Sequence, residues 1–259
     1  MKKIILILFI SIISLNAQDD LIKHQVNAEG WYKQSAEMEL CYLQTYKYAE
    51  IMLDNWINAE IVGLPPAIVL DIDETVLDNS PYQASIIANN KPYNSSDWKK
   101  WTAKAEARVL PGVKDFLNKA KIYKMEIFYI SNREIDEMDA TVANLKKHNL
   151  PNADPKYILL KHSTSDKTFR RSEIVKNYDV VLFVGDNLTD FSEIFANRKG
   201  TGKELVYENI QQLLGKFIML PNPMYGEWEK ALYNNDYSQP DSIKSRIKIE
   251  NILKNTEQK

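Results

Sequence analysis

The chain carries a single cysteine, Cys41, among 259 residues, which excludes an intramolecular disulfide and leaves stability to the packed core. With no His or second Cys nearby in its helical surroundings, Cys41 reads as a small buried hydrophobe. Neither charge is in excess: 33 Lys and Arg meet 35 Asp and Glu, a net charge of −2. A polymeric nucleic acid would call for a strongly basic face, and this balance offers none. A small charged substrate remains compatible, because one site can be positive while the whole is near neutral. Glycine and proline are sparse, at 8 and 10 residues, and no internal repeat or low-complexity stretch occurs. Collagen-like and disordered classes are thereby excluded, and 44% hydrophobic with 26% charged residues is the balance of an ordinary globular protein.

A membrane-spanning run is also lacking. The apolar stretch Ile4–Leu15 falls short of the roughly 20 residues that cross a bilayer. Preceded by Lys2 and Lys3 and followed by Asn16 and Ala17, it predicts a secretory signal over residues 1–17, cut after Ala17. No cysteine lies near the cut, so no lipid anchor is expected, and the mature chain is expected to be exported, periplasmic or secreted. Residues 18–259 then suit one large domain.

Within it, residues 25–60 lack proline and hold one glycine, Gly30. Apolar residues recur at helical spacing, Leu40, Leu43, Tyr46 and Ala49 before Leu53, Trp56 and Ile57, which predicts one long helix or two abutting ones. After the break at Gly63, Pro65 and Pro66 comes Ala67–Leu70, a continuous apolar run of the kind that forms a strand buried on both faces. Similar runs lie at Met125–Ile130, Tyr157–Leu160 and Val180–Val184, with a weaker one at Phe217–Leu220. Helical patterns separate them, at Val113–Tyr123, Glu134–His148, Phe169–Asn177 and Leu188–Ala196. This alternation predicts an α/β fold, a parallel sheet with helices on both faces, whose ligands bind at the carboxyl ends of the strands. Residues 75–110 interrupt the alternation with polar and aromatic sequence too long for a simple connection, and predict a smaller cap over the strand ends. The tail from Asp241 predicts a surface helix.

The strand ends carry the chemistry. Asp71 and Asp73 follow the first strand two residues apart, so an extended backbone projects them to one side. Two such carboxylates stay ionised together only beside a cation or donors, and carboxylate oxygens are ligands that Mg²⁺ accepts. The second strand leads to Ser131-Asn132-Arg133, the third toward Lys167, and the fourth to Gly185-Asp186 with Asp190 beyond. Each piece alone reads equally well as a turn, a cap or a solvated side chain, Arg170 and Arg171 included. Together they supply a carboxylate nucleophile, a second acid, a divalent cation, a hydroxyl and an ammonium, which is the inventory of phosphoryl transfer.

The stretches VLDIDETVLDNSPYQ (69–83), NNKPYNSSDWKKW (89–101), FYISNR (128–133), VGDNLTDF (184–191) and FIMLPNPMYGEWE (217–229) resemble the haloacid dehalogenase superfamily, specifically the class C bacterial acid phosphatases and lipoprotein 5′-nucleotidases. The resemblance implies a Rossmann-like sheet with a helical cap and a Mg²⁺-dependent phosphomonoesterase acting on nucleoside 5′-monophosphates and aryl phosphates. It implies Asp71 as nucleophile and Asp73 as acid/base with its carbonyl on the metal. Asp186 would be the remaining Mg²⁺ ligand, and Asp190 would orient a metal-bound water. Ser131, Asn132 and Lys167 would bind phosphate, and Trp98 and Tyr225 would clamp the base. Relatives also suggest a homodimer. The alternatives are a phosphotransferase using the same residues and a non-enzymatic storage relative; the latter predicts a damaged catalytic set, whereas all six main residues are in place.

Overall fold

The computed structural model describes residues 25–59, 63–196, 202–236 and 238–254. The expected leader, residues 1–17, lies outside the described residues.

Two abutting helices open the described chain, α1 over residues 25–34 and α2 at Ala36–Asn58. Ser35 divides them because its hydroxyl caps α2, accepting from the Met38 amide at 3.0 Å. The buried stripe of α2 is Met38, Tyr42, Tyr46, Ala49 and Leu53, one residue every three or four. Tyr46, Ala49 and Leu53 lie on the expected face, but its first turns are corrected: Leu40 and Leu43 are 53% and 45% exposed, and Met38 and Tyr42 take the inward positions. Cys41, beside that stripe, is half-buried rather than buried.

The central sheet has the order β5-β4-β1-β6-β7, built from β1 (Pro66–Leu70), β4 (Glu126–Glu134), β5 (Ile158–Lys161), β6 (Asp179–Gly185) and β7 (Phe217–Met219), with every pairing parallel. Alternate residues of β1 enter different cores. Ile68 and Leu70 join Ile127, Tyr129 and Val184 beneath α2 and α5 (Val113–Ile122). Ala67 and Val69 join Phe128, Ile130 and Val180 against Ile174 of α7 (Thr168–Val175). Burial on both sides is why the strand is written as an unbroken apolar run. The chain leaves β1 toward β4 and β5, then returns across to β6 and β7. The crevice beside β1 is therefore a topological switch point, where α/β sheets bind ligands.

The cap between β1 and β4 holds α3 (Ser80–Ala88) and α4 (Ser95–Thr102). It also contains a two-stranded antiparallel ribbon the sequence did not announce, β2 (Leu77–Asp78) on β3 (Arg108–Val109). Two-residue strands leave no periodicity to read. The ribbon is fastened by Arg108 on the buried carboxylate of Asp78, at 2.5 Å.

Two further expectations are corrected. The strand expected to stop at Ile130 continues to Glu134 with a register shift, so Ser131-Asn132-Arg133 lie within its irregular end. The expected helix over 188–196 is two 3-10 turns, Leu188–Asp190 and Glu193–Phe195. Asn187 and Ser192 cap them separately, and each side chain that caps a new turn interrupts the run a continuous helix would need. The remaining helices are α6 (Met138–Lys147), α8 (Lys203–Glu208), α9 (Ile210–Lys216), α10 (Glu227–Leu232) and α11 (Asp241–Leu253). The expected tail helix, α11, buries Ser245 and Lys248, and Lys248 reaches Glu229 of α10 at 2.5 Å. Among the described residues no helix is long and apolar enough to cross a membrane.

Candidate active site

Asp71 leaves the end of β1 with its amide still on the Val184 carbonyl at 2.9 Å, which keeps the backbone extended beside β6. Its carboxylate is buried and its Oδ1 accepts a hydrogen bond from Lys167 Nζ. Lys167 is itself buried at the start of α7, and its ammonium also donates to Asp190 Oδ1 at 2.6 Å. Asp190 in turn accepts the Asn187 amide on Oδ2 at 3.0 Å, closing the turn after β6. Gly185 makes that closure possible: a Cβ there would lie 2.3 Å from Asp190 Oδ2.

Asp186, next along, is buried and receives Thr75 Oγ1 on Oδ1 at 3.1 Å and Asn222 Nδ2 on Oδ2 at 2.9 Å. Asp73 points to different partners. Arg133 Nη2 and Nε lie 2.8 and 3.0 Å from its Oδ1, and Asn79 Nδ2 and Ser131 Oγ donate to Oδ1 and Oδ2 at 2.9 and 3.1 Å. The pair expected to share one rim thus does so with separate roles: Asp71 faces an ammonium and Asp73 a fixed guanidinium.

The electrostatics leave a deficit of positive charge. Burial drives the Asp71 carboxyl well above its usual range, and Lys167 offsets only part of this against Asp190, Asp186 and Asp73. Burial, then Asp190, pushes Asp186 up to about 7. Burial works against the charge on Lys167, yet Asp190 and Asp71 outweigh it and hold the ammonium above its ordinary value. Three buried carboxylates around one ammonium are relieved by a further cation. Among the described residues no three His, Cys, Asp or Glu side chains are spaced to hold a metal by themselves. The donors that fit are two carboxylates, Asp71 and Asp186, with the Asp73 carbonyl, to which no described residue donates a hydrogen bond. A hard cation that keeps several waters and takes phosphate oxygens suits so short a list of oxygen ligands.

These groups open onto a cavity of about 620 Å³ whose lining includes Asp71, Asp73, Lys167, Asp186, Asp190, Asn132, Arg133, Trp98 and Tyr225. Trp98 enters from α4, packed edge-on against Tyr82 with ring centroids 5.2 Å apart. Tyr225 enters from the segment after β7. Asn132 is exposed, and because its Oδ1 accepts from Arg170 at 2.7 Å its NH₂ is the group left to donate into the cavity. Ser131 is fully buried, is not among the lining residues, and is committed to Asp73 and to the Arg133 amide, which it accepts at 3.1 Å.

Residue-by-residue reading missed the supports. Thr75 and Asn222 hold Asp186, Arg133 holds Asp73, and Arg170 and Arg171 are buried braces rather than solvated side chains. Arg170 Nη1 lies 2.7 Å from the Ser131 carbonyl and Arg171 Nη1 2.8 Å from that of Thr189. Thr75, Arg133 and Asn222 all lie inside the motif stretches, so the signal was present without a role attached.

Residues 12–228 match the HAD superfamily, subfamily IIIB (Acid phosphatase). The chain belongs to this family. The class C acid phosphatase of Bacillus anthracis is 39% identical, with 91% of this chain and 98% of that one superposed at a TM-score of 0.84. Its tungstate-bound form is likewise 39% identical, covering 90% and 98% at a TM-score of 0.85. Family likeness extends to plants: the Stem 28 kDa glycoprotein of Glycine max is 28% identical over 164 residues, and a Stem 31 kDa glycoprotein of the same plant 27%. Over those alignments the chain spans 58% of the length of each plant relative. The subfamily IIIB fold is the expected parallel α/β sheet with its cap, and phosphatases of this superfamily generally use a divalent metal.

Proposed function

We propose that this acid phosphatase family member is a Mg²⁺-dependent phosphomonoesterase that works through an aspartyl-phosphate on Asp71. The observation that carries the reading is the convergence of Asp71, Lys167 and Asp186 from three separate strand ends on one buried edge of the cavity. Lys167 occupies Oδ1 of Asp71, which leaves Oδ2 to attack phosphorus and displace the ester oxygen. Asp73, oriented by Arg133 and Asn79, gives its proton to the departing alkoxide. It then takes a proton from the water that cleaves the acyl phosphate and restores Asp71. Lys167 and the Asn132 amide face the phosphoryl oxygens as negative charge spreads over them. Mg²⁺ held by Asp71, Asp186 and the Asp73 carbonyl would supply the remaining charge neutralisation. The tungstate in the Bacillus anthracis relative supports an oxyanion site, tungstate being tetrahedral like phosphate.

Nucleoside 5′-monophosphates and aryl phosphates are the proposed substrates, with Trp98 and Tyr225 contacting the flat leaving group. Base-on-aromatic stacking contributes about 1–3 kcal/mol and tolerates any planar ring. Export, on the strength of residues 1–17, and a homodimer complete the proposal, with small phosphomonoesters rather than nucleic acid polymers as partners.

The test is phosphate release from p-nitrophenyl phosphate and from a nucleoside 5′-monophosphate, with Mg²⁺ and with EDTA, by the wild type and Asp71→Asn. Release should require Mg²⁺ and disappear in Asp71→Asn. Undiminished turnover by that variant rejects Asp71 as the nucleophile.

A further inference from the structure

Glu74 is an acidic residue for which the chemistry above has no use. It follows Asp73, is completely buried, and holds φ at +57°, a left-handed backbone that disfavours any residue with a side chain. What the site gains in return is a carboxylate aimed inward. Its Oε1 accepts the Asn79 amide at 2.9 Å and its Oε2 accepts the hydroxyl of Tyr225. The Glu74 carbonyl accepts the Tyr42 hydroxyl at 2.6 Å, which fixes the peptide from the α2 side.

The segment bearing Tyr225 is anchored at its root as well. Tyr42 also reaches the Pro221 carbonyl at 3.3 Å, and Asn222 binds Asp186 at 2.9 Å while accepting the Met224 amide at 2.9 Å. These contacts hold the backbone. The half-buried Tyr225 ring, turning about two side-chain bonds, is fixed at its far end by Glu74.

We propose that Glu74 is a positioning residue that sets the angle of the Tyr225 ring in the cavity, and so sets the preference for phosphate esters whose leaving group is a flat aromatic. A ring already held in its binding orientation loses less freedom when a base stacks on it. The inference rests on the reading of Tyr225 as a contact for the base.

The experiment measures kcat and KM for a nucleoside 5′-monophosphate and for glycerol phosphate, which has no ring, in Tyr225→Phe, Glu74→Gln, the double variant and Tyr225→Ala. Tyr225→Phe keeps the ring and removes only the tether. It should raise the nucleotide-to-glycerol phosphate KM ratio between about twofold and tenfold, the range for loss of one hydrogen bond. Glu74→Gln replaces the accepting carboxylate oxygen by an amide that meets the Tyr225 oxygen more weakly, so it should raise the ratio by less, and the double variant no further than Tyr225→Phe, because both changes act on one link. If Tyr225→Ala raises the ratio while Tyr225→Phe leaves it at the wild-type value, the ring contacts the base and the tether is rejected. If Tyr225→Ala itself leaves the ratio unchanged, the base contact fails and the tether with it. A fall in kcat of equal size for both substrates in Glu74→Gln, with the ratio unmoved, would place Glu74 behind Asn79 and Asp73 instead and overturn the proposal.

Discussion

Arg133 grips Asp73 through a fork, with Nη2 and Nε at 2.8 and 3.0 Å from Oδ1 and Nε again at 3.2 Å from Oδ2. The guanidinium is 2% exposed, is held at its other end by Thr141 at 3.2 Å, and lies 5.9 Å from the Trp98 ring. It therefore links the proposed acid/base to the cap. Arg133→Ala leaves the half-buried Asp73 carboxylate with only Asn79 and Ser131 as donors, and losing hydrogen bonds to a charged group costs about 1.5–3 kcal/mol of stability. A misoriented general acid should lower kcat on the order of 100-fold. Arg133→Lys restores the charge without the planar fork and should recover part of the stability but little of the rate. Urea unfolding and steady-state kinetics separate the two, and wild-type kcat in Arg133→Lys would refute the orienting role.

Gly185 and Asp190 make a second close relationship. A methyl group on Gly185 would sit 2.3 Å from Asp190 Oδ2 and 2.5 Å from its Cβ, so Asp190 must move. Moving it loosens Lys167, which is held between Asp190 and Asp71. Gly185→Ala should lose about 1–3 kcal/mol from overpacking, together with a fall in kcat of roughly tenfold or more. An alanine variant with unchanged kcat and unfolding midpoint would show that the turn after β6 yields without disturbing the lysine.

The fold was legible where the sequence wrote long, two-sided apolar runs, as in Ala67–Leu70 and Val180–Val184. It was misread where a face had to be chosen. Leu40 and Leu43 match helical spacing, yet Tyr42 turns inward beside the expected Tyr46, their hydroxyls reaching the Glu74 and Thr75 carbonyls at 2.6 and 2.7 Å. A buried tyrosine with a main-chain acceptor waiting is a tertiary fact that spacing does not contain. In the site, the groups proposed to touch phosphate could be picked out by position, Asp71 directly after β1, Asn132 in the irregular end of β4, and Lys167 between β5 and α7. Their supports could not, because Arg133, Arg170, Arg171 and Asn222 look like ordinary polar residues until the sheet brings a carboxylate or carbonyl to each. Ser131 shows the converse: a hydroxyl in the expected place is turned to Asp73.

Charge deficit at Asp71, Asp186 and Asp190 predicts that a divalent cation stabilises the fold as well as the reaction. Saturating Mg²⁺, at about 100 times its dissociation constant, should contribute roughly 2.7 kcal/mol. For a domain of this size that is about 5–10 °C in Tm. Asp186→Asn removes a proposed ligand and should abolish most of the shift, while a Tm rise of equal size in that variant would exclude Asp186 from the metal site. Calorimetry with and without EDTA reads this independently of turnover.

Glu29 on α1 is 6% exposed, and neither carboxyl oxygen has a hydrogen-bond partner among the described residues. Burial pushes its pKa up to about 7, with Lys33 pulling it down and Asp78 adding to the rise. In the unfolded chain a glutamate titrates near 4.3, so the folded state binds this proton more tightly. The stabilising contribution is complete below about pH 4.3 and is lost as pH rises through about 7, on the order of 2 kcal/mol in all. Helix α1 carries Tyr32, whose hydroxyl meets that of Tyr42 at 2.8 Å, so the loss loosens a helix tied to the residue that braces Glu74. Glu29→Gln keeps the shape and removes the ionisation. Its urea midpoint should match the wild type near pH 4, exceed it at pH 8, and change less between the two. Wild-type and variant curves that stay parallel across this range would mean that the Glu29 carboxyl is solvated in the folded protein and exerts no such pull.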